Sequence, residues 1–361
     1  MTTNITNYIP NKGCIVASPT GSQHTTSLPN SIFNFKSNID TELLSTSKFS
    51  IDSCWETGNI IKIEDDLIKK IEYNSFGSLP NYFLNIFPIH IKKTVLTSLT
   101  NEPLPDVIIS AGRRTAVLAL YLKKLSNARI KIIQIMRPNI KTNQFDLIIL
   151  PQHDSFNYTL PNIVRIIGAL TNVRDKIQKS QSDFDSKYPD IKHYIAVIIG
   201  GSTKGYKLTL DNAELLSKTL TNILQSHSMP LFITFSRRTP DVVKSHFIQN
   251  FVWPHIIYDP LSEDANPYPA ILGRAEYIIS TTDSISMCSE AVSTGKPVYV
   301  FCPPSFKLKK HNYFIQQLVD LGLARRLDLS ANNLEKYNYE PLTEISKVAE
   351  IINKKILYEP G

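Results

Sequence analysis

The sequence predicts an α/β protein made of two doubly wound domains, each a parallel sheet flanked by helices, with a cleft between them. Short apolar runs alternate with helix-forming segments. The alternation restarts after a polar stretch near the middle, and 361 residues are too many for one ordinary core but fit two. With 42% hydrophobic and 20% charged residues, and only 13 Gly and 22 Pro, fibrous, low-complexity and wholly disordered classes are excluded.

The first 50 residues are rich in Asn, Thr and Ser and predict one strand, at 14–18, amid loop. A strand at 60–63, a helix at 65–73 and a helix over 79–99 follow. The apolar runs 106–110 and 130–135 read as buried parallel strands, and the helical segment 115–125 between them completes a βαβ unit. Another strand is expected at 145–150, then mixed loop and helix over 161–173. The stretch 176–189 holds few core-forming residues and is where a domain boundary is expected. Beyond it, strands are predicted at 194–199, 231–235, 256–258, 277–280 and 298–301, with helices at 208–226, 240–251 and 284–293. The domains so defined are 1–175, irregular in part over 1–50, and 190–345, with a helix in 346–361 returning to the first.

Lys and Arg exceed Asp and Glu by 39 − 32 = +7, without a block of consecutive basic residues. Discrete anion sites are therefore expected rather than a nucleic-acid stripe. Cys14, Cys54, Cys288 and Cys302 have neither metal-site spacing nor the density of a disulfide scaffold, which points to reduced thiols in the cytoplasm. No apolar run approaches the length of about 18 residues that a membrane span needs, and the start lacks the pattern of a secretory signal. No cluster of His, Cys, Asp and Glu has the spacing of a metal site, so neither a metal nor a cofactor is expected.

Ligands of such sheets gather where strands end and helices begin, because backbone N–H groups and the helix dipole favour anions there. Four turns qualify. Gly200-Gly201-Ser202-Thr203-Lys204-Gly205 follows a strand; its glycines permit close approach, Ser202 and Thr203 offer hydroxyls and Lys204 a charge. It is neither a Walker A loop nor G-x-G-x-x-G, and a tight turn without a ligand is its structural alternative. The turn at 280–284 places Asp283 or Ser284 at a helix N-cap, and Glu290, further into that helix, could accept hydrogen bonds from sugar hydroxyls. Arg113 and Arg114 sit at the end of a first-half strand, where their planar forks suit a carboxylate or phosphate, and Arg237 and Arg238 repeat the arrangement in the second half. His153 beside Asp154, after the strand 145–150, has the composition of an acid/base pair, with His24 a weaker candidate base.

Taken in order, the segments 105–115, 145–154, 199–205, 236–240 and 282–291 resemble the signature of the "elongated mitochondria" fission-protein family. Its plant members act in mitochondrial fission, and its bacterial members are taken to be nucleotide-sugar glycosyltransferases. The second half is also similar to the donor domain of GT-B glycosyltransferases of the MurG type. The resemblance implies a GT-B fold of two Rossmann-like domains. It also implies diphosphate contacts at Gly200, Gly201, Ser202 and Ser284, a ribose contact at Glu290, and Arg237 near the base or phosphates. The expected function is metal-independent transfer of a sugar from a nucleoside-diphosphate donor to an acceptor, which can be membrane-borne and would then place the protein peripherally at the inner face of the membrane. His153 or Asp154 would serve as base and Arg113 and Arg114 would orient an anionic group. Family members open with an Asp-Gly and Gly-His turn, whereas here Gly21 and His24 stand in Ala17-Ser18-Pro19-Thr20-Gly21-Ser22-Gln23-His24. That difference favours a rival reading as a non-catalytic scaffold; a nucleotide-sugar epimerase is the third.

Overall fold

A computed structural model of the chain describes residues 15–19, 68–71, 93–101, 104–154, 160–227, 229–260 and 266–357. The chain divides into two compact units, Met1–Ile166 with Ile345–Gly361, and Ile167–Glu344. Each is built on a six-stranded sheet whose described pairings are all parallel. Both sheets are thus doubly wound α/β layers of the GT-B type.

In the first unit the strands are β1 (Ile15–Pro19), β2 (Ile68–Ile71), β3 (Val107–Ala111), β4 (Lys131–Ile135), β5 (Leu147–Pro151) and β6 (Ile163–Ile166), in the order β2-β1-β3-β4-β5-β6. The described helices are α1 (Lys93–Asn101) and α2 (Arg113–Leu125). Ala116, Ala119 and Leu122, three residues apart on α2, bury one face against Ile108, Ile132 and Ile148 of the sheet. Two expectations are corrected here. The stretch 65–73, read as a helix, contains β2, which pairs with β1 from Val16↔Ile68 to Pro19↔Ile71. The Ile68 to Ile71 spacing suits a helix face, but a long-range partner, absent from the local pattern, supplies the hydrogen bonds. The segment 161–173 contributes the edge strand β6 where loop and helix were expected, and its mixed burial gave no strand signal. The strand at 60–63, the helix segment 79–92, Gly21 and His24 lie outside the described residues.

The second unit contains β7 (Ile195–Ile199), β8 (Leu231–Phe235), β9 (His255–Tyr258), β10 (Tyr277–Thr281), β11 (Val298–Phe301) and β12 (Arg325–Arg326), in the order β12-β11-β10-β7-β8-β9. The polar stretch 176–189 forms most of a 15-residue helix, α3 (Val173–Lys187), and the division into units falls earlier, after Ile166. Only Val173 and Phe184 of α3 are buried, with Ile177 packed beside them; the remaining faces are solvated, which explains a linker-like composition. Helix α4 (Leu210–Ser226) starts from a capping box in which Thr209 and Asn212 satisfy each other's backbone N–H groups. Residues 240–251, expected as one helix, are a short helix α5 (Asp241–Ser245) running into a π turn at His246–Asn250. Helices α6 (Tyr268–Arg274) and α8 (Lys309–Asp320) had no sequence counterpart, whereas α7 (Ile285–Val292) did. Two apolar layers cover the sheet, one holding Val173, Leu272, Cys288 and Phe314, the other Leu216, Leu220, Val243 and Phe247. After α9 (Glu344–Ile352) the chain is back in the first unit, where the Lys355 ammonium donates to the Pro161 carbonyl at 3.1 Å. Among the described residues no helix is long and apolar enough to cross a membrane, and no group of three metal-binding side chains converges.

Candidate functional site

The order of the second sheet fixes where a ligand would sit. The chain lays down β7, β8 and β9 in one direction, then returns to place β10 on the other side of β7. Connections leaving neighbouring strands in opposite directions open a crevice at their carboxyl ends, here between β7 and β10. Three of the turns singled out from the sequence follow β7, β8 and β10, which are adjacent.

The three turns are welded to one another. The Gly200 N–H donates to the Thr281 hydroxyl at 2.8 Å and the Gly201 N–H to Asp283 Oδ2 at 2.6 Å. On the other side, the Ser202 N–H donates to the Arg238 carbonyl at 3.3 Å, and the buried Thr239 hydroxyl donates to the Gly200 carbonyl. A Cβ at Gly200 would overlap the Asp283 carboxylate, and one at Gly201 would overlap the Arg238 carbonyl. The glycine pair is therefore required for close packing of protein against protein, and its two N–H groups are spent inside the fold. That differs from the sequence reading, in which both glycines face a phosphate. Sequence alone could not reveal this, because the partners lie about 40 and 80 residues away.

Asp283 is only 3% exposed and accepts from Gly201, while its Oδ1 has no hydrogen-bond partner among the described residues. Burial raises its pKa above the ordinary aspartate value, against the opposing pull of Thr281, the Gly201 N–H and the Arg238 charge. A raised folded-state value means that the group favours folding fully only below its unfolded pKa and loses that contribution as pH climbs through the folded value. Asp283→Asn removes the titration. The stability of the variant relative to the parent is therefore expected to improve as pH rises above the ordinary aspartate value, until Asp283 is ionised in the folded parent. Urea unfolding at several pH values measures the difference, and a pH-independent gap would show that Asp283 titrates as an exposed carboxyl does.

Around this framework lie the groups that can meet an anion. Ser284 is the N-cap of α7, its hydroxyl accepting from the Met287 N–H at 3.3 Å, so the positive end of that helix opens at the crevice. Ser202 and Thr203 are partly exposed, Lys204 and Arg237 exposed. The sequence reading paired Arg237 with Arg238 and gave the place near the nucleotide to Arg237, whereas it is the Arg238 guanidinium that donates to the Ser202 carbonyl at 3.3 Å and ties the β8 turn to the β7 turn. Its own N–H is held by the Ser236 hydroxyl at 3.1 Å. The adjacent pair Arg237-Arg238 was the available signal, and only the fold shows which of the two turns inward.

Glu290, in the second turn of α7, is partly buried and accepts from the Tyr268 hydroxyl at 2.9 Å through Oε2. Burial raises its pKa, while the Tyr268 hydrogen bond and the Lys176 charge pull it down. The carboxylate thus stands between α7 and α6, hydrogen-bonded to the Tyr268 hydroxyl.

In the first unit, Arg113 and Arg114 begin α2 at the carboxyl end of β3, the former exposed and the latter buried. His153, 7% exposed, and half-buried Asp154 follow β5. Strand β4 separates β3 from β5, so the two pairs share one edge of the sheet two strand spacings apart, about 10 Å. The Arg165 guanidinium clamps the carbonyls of Gln152 and Asp154 at 3.0 and 3.1 Å and fixes the course of the His153 loop.

The family model for mitochondrial fission ELM1 matches residues 64–356, most of the chain and every described strand except β1. The chain belongs to the mitochondrial fission ELM1 family. The protein RP120 of Rickettsia prowazekii is 45% identical over 315 residues, which are 78% of this chain and 88% of that one. The mitochondrial fission protein ELM1 of Arabidopsis thaliana is 26% identical over 275 residues, which are 70% of this chain and 64% of the plant protein. Among solved structures, the UDP-GlcNAc 2-epimerase of Methanocaldococcus jannaschii is similar, with a TM-score of 0.55 and 12% identity over 95% of this chain and 99% of that one. At that identity the likeness is one of fold. It places this ELM1-family chain among proteins whose two sheets are wound in the GT-B manner.

Proposed function

We propose that the second unit binds a nucleoside-diphosphate sugar at the carboxyl ends of β7, β8 and β10, and that the protein transfers the sugar to an acceptor hydroxyl. The observation that supports this reading is that the turns after β7, β8 and β10, carrying the N-cap of α7 and the Arg238 guanidinium, are bonded to one another where the strand order reverses. In it the diphosphate lies against Ser284 and the free N–H groups that open α7, with Ser202, Thr203, Lys204, Arg237 and Arg238 around it. Gly200, Gly201 and Asp283 shape that cradle from behind. Glu290 accepts from the ribose. During transfer the acceptor oxygen bonds to the anomeric carbon as the bond to the diphosphate breaks, and the leaving nucleotide keeps the electron pair. Cationic and helix-terminal groups stabilise its charge. In the first unit, His153 or Asp154 is the proposed base, and Arg113 and Arg114 are the groups proposed to meet an anionic part of the acceptor. A cytoplasmic protein acting at the inner face of a membrane fits a membrane-borne acceptor.

A partner-recruiting scaffold is the second reading, favoured by the fission role in the name of the Arabidopsis relative and by the internal engagement of both glycine N–H groups. Calorimetry with UDP, GDP and their sugars separates the two. Binding at micromolar to millimolar concentration, followed by release of free nucleotide in the presence of a membrane extract, is the expected result. No heat of binding at millimolar nucleotide would refute the enzyme reading.

A further inference from the structure

Three helices of the second unit begin at the edge of the sheet that carries the crevice, because each returns from that edge towards the start of the next strand. Lys176 lies in the first turn of α3, Tyr268 is the first residue of α6, and Glu290 is in the second turn of α7. The Tyr268 phenol donates to Glu290 Oε2 at 2.9 Å, whereas Oε1 has no partner among the described residues. Tyr268 is itself partly buried beneath α7, and it follows Asn266, whose side-chain carbonyl accepts from the Tyr268 N–H at 3.0 Å. The ring is therefore anchored before any ligand arrives.

We infer that Tyr268 is a positioning residue for Glu290, holding one carboxyl oxygen so that the other is presented to a ribose hydroxyl of the bound nucleotide. The inference rests on the nucleotide reading above and deepens it. A free glutamate on a helix samples several rotamers and would lose that freedom on binding. Fixing one oxygen in advance removes most of this cost. The groups that bear on the carboxylate are the Tyr268 hydroxyl from α6 and the Lys176 ammonium from α3, and the Cys288 thiol of α7 bears in turn on the Tyr268 hydroxyl. Both the hydroxyl and the ammonium favour the ionised form, which accepts hydrogen bonds best, and burial opposes it.

The test is calorimetric titration of the parent, Tyr268→Phe and Glu290→Gln with UDP and GDP and with their 2′-deoxy and 3′-deoxy counterparts, from about pH 5.5 to about pH 8.5. The parent is expected to prefer at least one ribonucleotide over its deoxy form by about tenfold or more, the worth of one hydrogen bond to a charged acceptor. Glu290→Gln should reduce that preference to about threefold or less. Tyr268→Phe should weaken it in the same direction while leaving deoxynucleotide affinity unchanged, and its preference should fade at a higher pH than in the parent. A Phe variant that is less stable yet keeps the parental preference and pH profile overturns the inference and makes Tyr268 a packing residue. A parent that binds ribo- and deoxynucleotides equally overturns it while the nucleotide reading stands; a parent that binds none overturns both. Crystals of the parent with UDP give an independent measure should the Phe variant fold poorly. They should show one Glu290 oxygen on Tyr268 and the other on the ribose, and a Glu290 swung away from Tyr268 overturns the inference.

Discussion

Gly201→Ala is expected to lower the midpoint of thermal unfolding by roughly 1–4 °C, the equivalent of about 1–3 kcal/mol of overpacking in a protein of this size. The new methyl group would overlap the carbonyl of Arg238, with the Thr239 N–H close behind it. Both are backbone atoms, so no rotamer change relieves the collision. Relief requires the β7 and β8 turns to separate, and that breaks the bonds from Ser202 to Arg238 and from Thr239 to Gly200. Gly322 makes a useful comparator, because a Cβ there meets nothing within 4 Å and its φ is +69°. Gly322→Ala should then cost only the strain of a left-handed alanine, about 1–2 kcal/mol. Scanning calorimetry of the two variants tests the contrast. An unaltered midpoint for Gly201→Ala would mean that the turns are not in close contact.

Arg238→Ala is expected to reduce affinity for UDP or GDP by about 10- to 100-fold, as follows from losing a charge-assisted hydrogen bond of about 1.5–3 kcal/mol. Arg238→Lys should recover only part of the loss, because an ammonium lacks the planar fork with which the guanidinium, already on the Ser202 carbonyl, would meet a phosphate in the proposed site. The effect should shrink as salt is raised, which a purely structural loss would not do. Titration at two salt concentrations, with a melting curve for each variant, decides the matter. An Arg238→Ala protein that melts lower but binds nucleotide unchanged would show the arginine to be a strut between turns and nothing more.

The parts of the fold legible in the sequence were those whose cause is local. Strands β3, β4, β7, β8 and β10 are near-continuous apolar runs because both their faces are covered, and such runs stand out in any window. Strand β2 was misread because its fourfold pairing with β1 is invisible in Ile68-Lys69-Lys70-Ile71. Helix α3 escaped notice because a single buried aromatic, Phe184, with ring centroid 5.5 Å from that of Phe232, holds much of its inner face. Likewise, the turns of the candidate site could be found from their glycines and hydroxyls, since turn chemistry is local. What each group does could not. The glycine N–H groups look open to a ligand until Thr281 and Asp283 are brought against them, and Tyr268 acquires meaning only when the sheet sets α6 beside α7.

The second unit is an insertion into the first, entered after Ile166 and left at Glu344, with the last helix restored to the unit that began the chain. Two covalent crossings therefore join the halves. A single proteolytic nick in either crossing would leave the pieces tethered through the other, and shortening the chain from its carboxyl end would first strip a helix from the amino-terminal half. The contiguous stretch of sequence that corresponds to a whole unit is consequently the internal one, 167–344, rather than either end.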